Sequence, residues 1–335
     1  MDLLIPIEIK PLEEPIKYSD RIFLTGSCFT EHIGNALAEL KFRTFQNPHG
    51  ILFGPDSVCR SLLDCLYSRQ YDKNDLFYLN ECWNSWQHHS RFSSIDPLLA
   101  LKQINHKILE GHQFLTEANW LIITLGSSFV YELTPEAASA SSKAGDTVAN
   151  CHRAPQNWFN KKMLDTQTIF DELTDCLKKI KELNQGIRFL FTISPVRHIR
   201  DGVVENNRSK ARLISAVQEI TGTRKDAFYF PAYELLIDVL RDYRFYDIDL
   251  VHPNYAATEF VMEKFIAFGM DPSSISLMKE IKKLVTARKH RAFQPDTMAH
   301  RNFLRSNLEK ANQLQRDLPF LDLSKEIDHF SRTSL

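Results

Sequence analysis

RIFLTGSCFTEHIGNALAEL, residues 21–40, holds the turn that decides the fold. Its first six residues form an apolar run ended by Gly26, as expected of a strand buried on both faces. Past the turn, Ile33, Leu37 and Leu40 share one face of a helix. Three more apolar runs have strand character: WLIITLG at 120–126, IRFLFTIS at 187–194 and AFYFP at 227–231. Helix-period segments occupy 29–41, 57–68, 97–110, 166–184, 206–221, 232–243 and 255–268. Strand and helix alternate, and a crossover between parallel strands needs a dozen or more residues. The pattern therefore predicts an α/β fold: a three-layer, doubly wound, mostly parallel sheet with helices on both faces.

Residues 1–270 read as one domain and 271–335 as a helical C-terminal appendage. MKEIKKLVTARKHRAF and AHRNFLRSNLEKANQLQRDL read as two amphipathic helices, with Pro272 and Pro295 as punctuation. The Ala- and Ser-rich stretch 134–160 is expected to be a long excursion over the strand ends. Hydrophobic residues make up 43% and charged residues 25%, the balance of a globular chain. Lys and Arg (41) nearly cancel Asp and Glu (42), so no nucleic-acid partner is expected. Residues 1–20 lack the pattern of a secretory leader, and no apolar run approaches membrane-spanning length. The expected address is cytoplasmic, with no membrane partner.

In open parallel sheets, sites gather beyond the carboxyl ends of the strands. Those positions here are Gly26-Ser27-Cys28-Phe29, Gly126-Ser127-Ser128 and Ser194-Pro195-Val196-Arg197-His198. Cys28 is expected at a helix N-terminus, where the dipole and unpaired N–H groups favour a thiolate. Near the end of the domain, Asp249 precedes His252 by three residues, so its carboxylate can orient the imidazole as a general base. The bland alternatives are a buried structural cysteine and a helix-capping aspartate beside a packed histidine. Cys59, Cys65 and Cys176 fall in helical patterns and fit buried reduced thiols. Arg197 and His198 suit a carboxylate or phosphate on a substrate, or an ion pair that holds their loop. Cys151, His152 and Arg153 lie in the long excursion, and His88-His89 with Trp83 and Trp86 forms an aromatic stretch that suits packing or stacking on a ligand. Cys28, Cys151, His152, His198 and His252 are possible zinc ligands, but their scatter argues against a metal. With no Gly-rich phosphate loop, no cofactor is expected.

GSCF at 26–29 together with DLVHPN at 249–254 resembles the GSCFA family, a branch of the SGNH (GDSL-like) hydrolase superfamily, whose fold is flavodoxin-like. Further stretches carry the same resemblance: NPHGILF at 47–53, WQHHSRFS at 86–93, ITLGSSFVYEL at 123–133, NCHRAP at 150–155, SPVRH at 194–198 and FPAYELLIDVLRDYRFYDIDLVHPN at 230–254. Laid over the superfamily's Gly-Asp-Ser-Leu block, Cys28 takes the serine position and Ser27 the aspartate position. Ser27 is the alternative nucleophile. The DxxH block matches Asp249 and His252, while Asp247 is a competing carboxylate at the wrong spacing. The superfamily's oxyanion hole implies roles for Gly50, for Gly126, and for Ser128 where an asparagine would stand; Asn47 could supply an amide from elsewhere.

The implied activity is acyl transfer on an ester or thioester: Cys28 attacks, His252 shuttles the proton and Asp249 orients it. Water as acceptor gives a hydrolase; a sugar hydroxyl gives an O-acyltransferase. Substrate contacts are expected from Ser27, Asn47, Gly50, Gly126, Ser128, His152, Arg197 and His198, toward a small-molecule or glycan ester. The rival reading is a binding protein that grips an acylated glycan or small ligand without turning it over.

Overall fold

The structure, a computed structural model, describes residues 5–137 and 142–332. The expectations for residues 1–4, 138–141 and 333–335 lie outside the described residues.

The strands are β1 (Arg21–Gly26), β2 (Arg43–Gln46), β3 (Phe77–Leu79), β4 (Cys82–Asn84), β5 (Trp120–Leu125), β6 (Phe129–Leu133), β7 (Thr147–Val148), β8 (Phe159–Met163), β9 (Arg188–Ile193) and β10 (Ala227–Tyr229). The helices are α1 (Cys28–Glu39), α2 (Pro55–Leu66), α3 (Pro97–Thr116), α4 (Thr166–Leu183), α5 (Val203–Thr223), α6 (Ala232–Glu234), α7 (Tyr255–Gly269), α8 (Pro272–Lys289), α9 (Met298–Asp317) and α10 (Ser324–Arg332). Helix α6 runs on as a π-helix over Leu235–Leu240, closed by Arg241 in the left-handed region.

The central sheet is all parallel, in the order β10-β9-β5-β1-β2. Its order is that of flavodoxin-like folds, with the switch point between β1 and β5. All six residues of β5 are buried, as are the last five of both β1 and β9. Such strands read as apolar runs because helices cover both faces. On one face Phe23, Leu121, Phe189 and Phe191 pack against α2, α4 and α5. On the other, Leu24, Trp120, Ile122 and Leu190 pack against α1, α7 and the C-terminal helices. The fold class is as the sequence predicts.

Part of the stretch expected to be a loop excursion is built into a small sheet: β6, β7 and β8 pair antiparallel in the order β7-β6-β8, and Leu164 N donates to Ser128 O, tying this sheet to the end of β5. The β3–β4 hairpin turns on Asn80 and Glu81, both at positive φ.

The C-terminal helices join the main core. Ile281, Leu284, Leu304, Leu323 and Phe330 lie in the same apolar cluster as Leu24 and Trp120. Glu326 is fully buried between Lys41, 2.6 Å away, and Arg288, 2.9 Å away.

Candidate functional site at the switch point

The GSC turn is built by backbone constraint. Gly26 has φ +135°, and a Cβ there would meet Thr124 O at 2.1 Å. Only glycine lets β1 turn this close to β5. Ser27 N donates to Thr124 O at 3.1 Å, and Gly26 N donates to Asn47 Oδ1 at 2.9 Å. The chain then enters α1 with Cys28 as its first residue and Ser27 as N-cap, the Ser27 side chain making no capping bond.

Ser27 is 1% exposed with a partnerless hydroxyl, whereas Cys28 is only partly buried. The N–H groups of Cys28 and Phe29 begin the helix, where no carbonyl of the preceding turn is available to them. They and Lys210 pull the thiol pKa down, but burial outweighs them and Glu31 adds to the rise, so the thiol stands above its ordinary value. The helix N-terminus alone therefore does not make the thiolate expected from the sequence. Desolvation of the charged form is the larger effect.

Asp249 and His252 form a compact unit on the loop before α7. Asp249 Oδ2 lies 2.6 Å from His252 Nδ1, and Oδ1 accepts from Val251 N at 2.9 Å and His252 N at 3.0 Å. Those bonds, led by the one from the His252 amide, hold the Asp249 carboxyl at about 2. Leu250, at φ +57°, allows the tight bend. Asp247 donates its N–H to His252 O at 2.8 Å, so it closes the loop by its backbone. Asn254 caps α7 by accepting from Ala257 N. His252 is half exposed and makes no hydrogen bond to Cys28 Sγ.

Arg197 packs beneath this loop. Its guanidinium lies 4.6 Å from the Tyr246 ring centroid, and Tyr246 bridges to Pro253. Arg197 Nη1 and Tyr246 OH are buried without partners. His198 Nε2 is likewise unpartnered and would lie 3.3 Å from a Cβ on Gly126. Burial, helped by the positive charge of Lys210, lowers His198 to about 4, and His252 acts in the same direction.

The other sequence-predicted residues are mostly engaged within the protein. Gly126 N donates to Phe53 O at 2.8 Å, and Gly50 N to Asn47 O at 2.8 Å. Asn47 spends its carbonyl on Gly26 and its amide nitrogen on Glu31 at 3.4 Å. Ser128 gives its N–H to Ser209 Oγ at 2.7 Å and its hydroxyl to the same atom at 3.1 Å. The contacts of His152 are with Ser85 O, Phe77 and Trp86, in a separate aromatic cluster. Trp86 stacks on Phe77 with centroids 3.6 Å apart, so that cluster packs on itself.

Sequence reasoning missed Asn206, Ser209 and Lys210 of α5. All three are buried, and they hold His198 N, Ser128 N and the carbonyls of Gly126 and Ser194. Their signal was periodicity: they continue the buried stripe of Leu213, Ala216, Val217 and Ile220 back to the start of the helix. Among the described residues, no group of three or more His, Cys, Asp or Glu side chains is placed to hold a metal ion. An apolar groove of about 490 Å³ between α1, α7 and α8, floored by Leu40, Met262, Ile266 and Met278, is lined by none of the candidate residues.

Fold and site together define an α/β protein that carries a thiol at the switch point of a five-stranded parallel sheet and a carboxylate–imidazole pair on a later loop. The chain belongs to the GSCFA family, whose sequence pattern matches residues 21–265; the pattern described as GSCFA domain protein, C-terminal domain, matches residues 281–333. A comparison with curated proteins returns no match. Among solved structures, the chain is similar to an acetyl xylan esterase (Est2A) from the rumen bacterium Butyrivibrio proteoclasticus, at 10% identity and a TM-score of 0.36. That likeness covers 77% of this chain and 65% of the esterase, so the chain spans less than two thirds of that protein.

Proposed function

We propose that the protein is an acyl-transfer enzyme acting on an ester or thioester, with Cys28 as nucleophile, His252 as proton carrier and Asp249 as its orienting carboxylate. The observation that carries this reading is the 2.6 Å contact between Asp249 Oδ2 and His252 Nδ1. It leaves Nε2 as the ring nitrogen free to exchange a proton with a nucleophile. The thiol attacks the carbonyl carbon while its proton passes to His252 Nε2. The carbonyl electron pair moves to oxygen, facing the N–H groups of Cys28 and Phe29. Collapse expels the alcohol or thiol, which takes the proton back, and water or a hydroxyl acceptor then releases the acyl group from sulfur.

Cys28 is favoured over Ser27 because its side chain is partly exposed while that of Ser27 is sealed. In the free protein Cys28 and His252 are not hydrogen-bonded, so the reading requires the loop to bring Nε2 to sulfur once substrate is bound. Contacts of this kind often tighten only in the complex. Arg197, with an unpaired buried nitrogen, and His198 are assigned to the substrate, with Arg197 suited to an anionic group. Similarity to SGNH enzymes extends the substrate class to acyl groups on a small molecule or a glycan. Among the described residues no helix is long and apolar enough to cross a membrane, and all six cysteines are free, which fits a reducing, cytoplasmic setting.

A second reading, a binding protein for an acylated ligand, is favoured by the internal engagement of the Gly50, Gly126 and Ser128 amides. Intact-mass spectrometry after exposure to an activated acyl ester separates the two. An acyl adduct that disappears in Cys28→Ala and His252→Ala but persists in Ser27→Ala is the expected result. Persistence in Cys28→Ala moves the nucleophile to Ser27, and no adduct in any variant favours the binding protein.

A further inference from the structure

The loops that carry the candidate site residues also carry exposed aliphatic side chains. Ile248 and Leu250 flank Asp249; Ile248 is fully exposed and Leu250 is 52% exposed. Ile199 follows His198, and Val203 and Val204 open α5; all three are exposed. Phe53, on the loop before α2, places its ring 5.1 Å from that of His198 and would meet a Cβ on Gly126 at 3.1 Å. Single exposed apolar residues are ordinary on a protein surface. A set of them drawn from separate loops around one site is not.

These loops are tied together at the site. Arg197 lies over the rings of Tyr243, 5.5 Å away, and Tyr246, 4.6 Å away, which joins the β9–α5 loop to the loop of Asp249 and His252. Phe53 O accepts from Gly126 N at 2.8 Å and Ser127 N at 3.0 Å, and Leu52 N donates to Gly26 O at 3.0 Å, so Phe53 stands beside the GSC turn. The apolar rim is thus continuous with the strand ends where Cys28 begins α1.

Two of its positions run against folding preferences. Leu250 has φ +57°, a region that suits Gly or Asn and strains a bulky side chain, yet a leucine stands there, turned to solvent. Val203 leads the face of α5 that continues through Asn206 and Lys210. Lys210 already reaches the carbonyls beyond the ends of β5 and β9, so Val203 stands past the sheet edge, uncovered. Neither residue belongs to the core.

We propose that this rim holds an apolar acyl chain, so that the substrate is an ester or thioester of a chain well beyond acetyl. The proposal rests on the acyl-transfer reading for the chemistry at the carbonyl; the rim decides which acyl group arrives there. An alkyl chain asks for apolar contact and no hydrogen-bond partner, and side chains from separate loops can close over it. Charges beside the rim are used locally: Arg244 pairs with Asp242 at 3.1 Å, and Lys161 with Asp201. An anionic bilayer would call for a cluster of free cations, whereas a single acyl chain does not.

The test is a ligand-observed NMR titration of the full chain with methyl octyl ketone and methyl ethyl ketone, which have a carbonyl but no leaving group. A fully buried methylene is worth about 4-fold in affinity, so even partial burial should make the longer ketone bind about 10-fold more tightly or better. Ile248→Ser and Val204→Ser should each cut that preference by about 3-fold. Leu183→Ser, at the end of α4 that leads into β9, should keep it. In turnover, nitrophenyl decanoate should be preferred to nitrophenyl acetate. Equal ketone affinities, a preference that survives in both rim variants, or faster turnover of the acetate would overturn the proposal. Equal affinities together with vesicle binding that Ile248→Ser abolishes would give the rim to a bilayer instead. A ketone preference lost in the rim variants, with no ester turned over and no acyl adduct formed, would keep the chain-binding rim and remove the acyl-transfer reading, so the two failures are separable.

Discussion

A Cβ added to Gly26 would lie 2.1 Å from the carbonyl oxygen of Thr124. The turn that presents Cys28 is thus set by backbone packed against backbone across the β1–β5 switch. Gly26→Ala must move one of these strands and hold a positive φ, so it should destabilise the fold by about 3 kcal/mol or more. Urea unfolding checks this, and an unchanged midpoint would mean that the turn relaxes at little cost.

Asp249→Asn should keep the two loop amides bonded through its carbonyl oxygen but offer His252 Nδ1 a donor in place of an acceptor. The acyl-transfer reading then expects a rate loss of about 100-fold or more at unchanged thermal stability. Equal adduct formation in Asp249→Asn and wild type would remove the orienting role.

The same carboxylate gives a pH signature. Its folded-state pKa, about 2, is depressed below the ordinary carboxylate value. The interaction is therefore complete above the unfolded-state value of about 4 and is lost as pH falls through about 2. The Asp249 side-chain carboxyl carbon resonance should keep its ionised shift down to about pH 4 and titrate only below it. A carboxyl titration centred at or above pH 4 would contradict the contact.

Buried histidines predict acid sensitivity in a higher window. Burial lowers His49 to about 3 and His88 in the same direction, so the unfolded chain binds more protons below pH 6.5. Stability should fall with pH from about 6.5 downward, by up to about 1.4 kcal/mol per unit for each such histidine. Asp64, which burial raises and which lies 3.5 Å from His49, takes up a proton in the folded state and offsets part of this. Denaturation midpoints measured between about pH 4 and 7 should have a shallower slope in His49→Gln than in wild type.

Glu326 ties α10 to the main core by charge contacts with Lys41 and Arg288, not by aligned hydrogen bonds. Glu326→Ala leaves two partly buried cations without their counter-ion and should cost about 3 kcal/mol. Faster proteolytic release of the C-terminal helices should accompany the loss. If Glu326→Ala unfolds like wild type, these contacts hold nothing in place.

The sheet can be read along the chain wherever burial leaves a local trace. β1, β5 and β9 are enclosed on both faces and can be read as apolar runs, and the polar residues that end them mark the edge where the site lies. β2 was not legible, since RTFQ is a short, partly exposed edge strand whose pairing comes from β1. The Asp249–His252 contact was legible because both partners sit on one loop. Everything else came from long-range packing. Whether the Gly126 and Ser128 amides are free depends on the distant Phe53 carbonyl and on Ser209, and Cys28 is governed more by its burial than by its place on α1. Lys210 shows the reason most directly. On the chain it is a lysine in a polar helical turn, and only the packing of α5 on the sheet strips its water and sets its Nζ against the carbonyls of Gly126 and Ser194 at the ends of two strands.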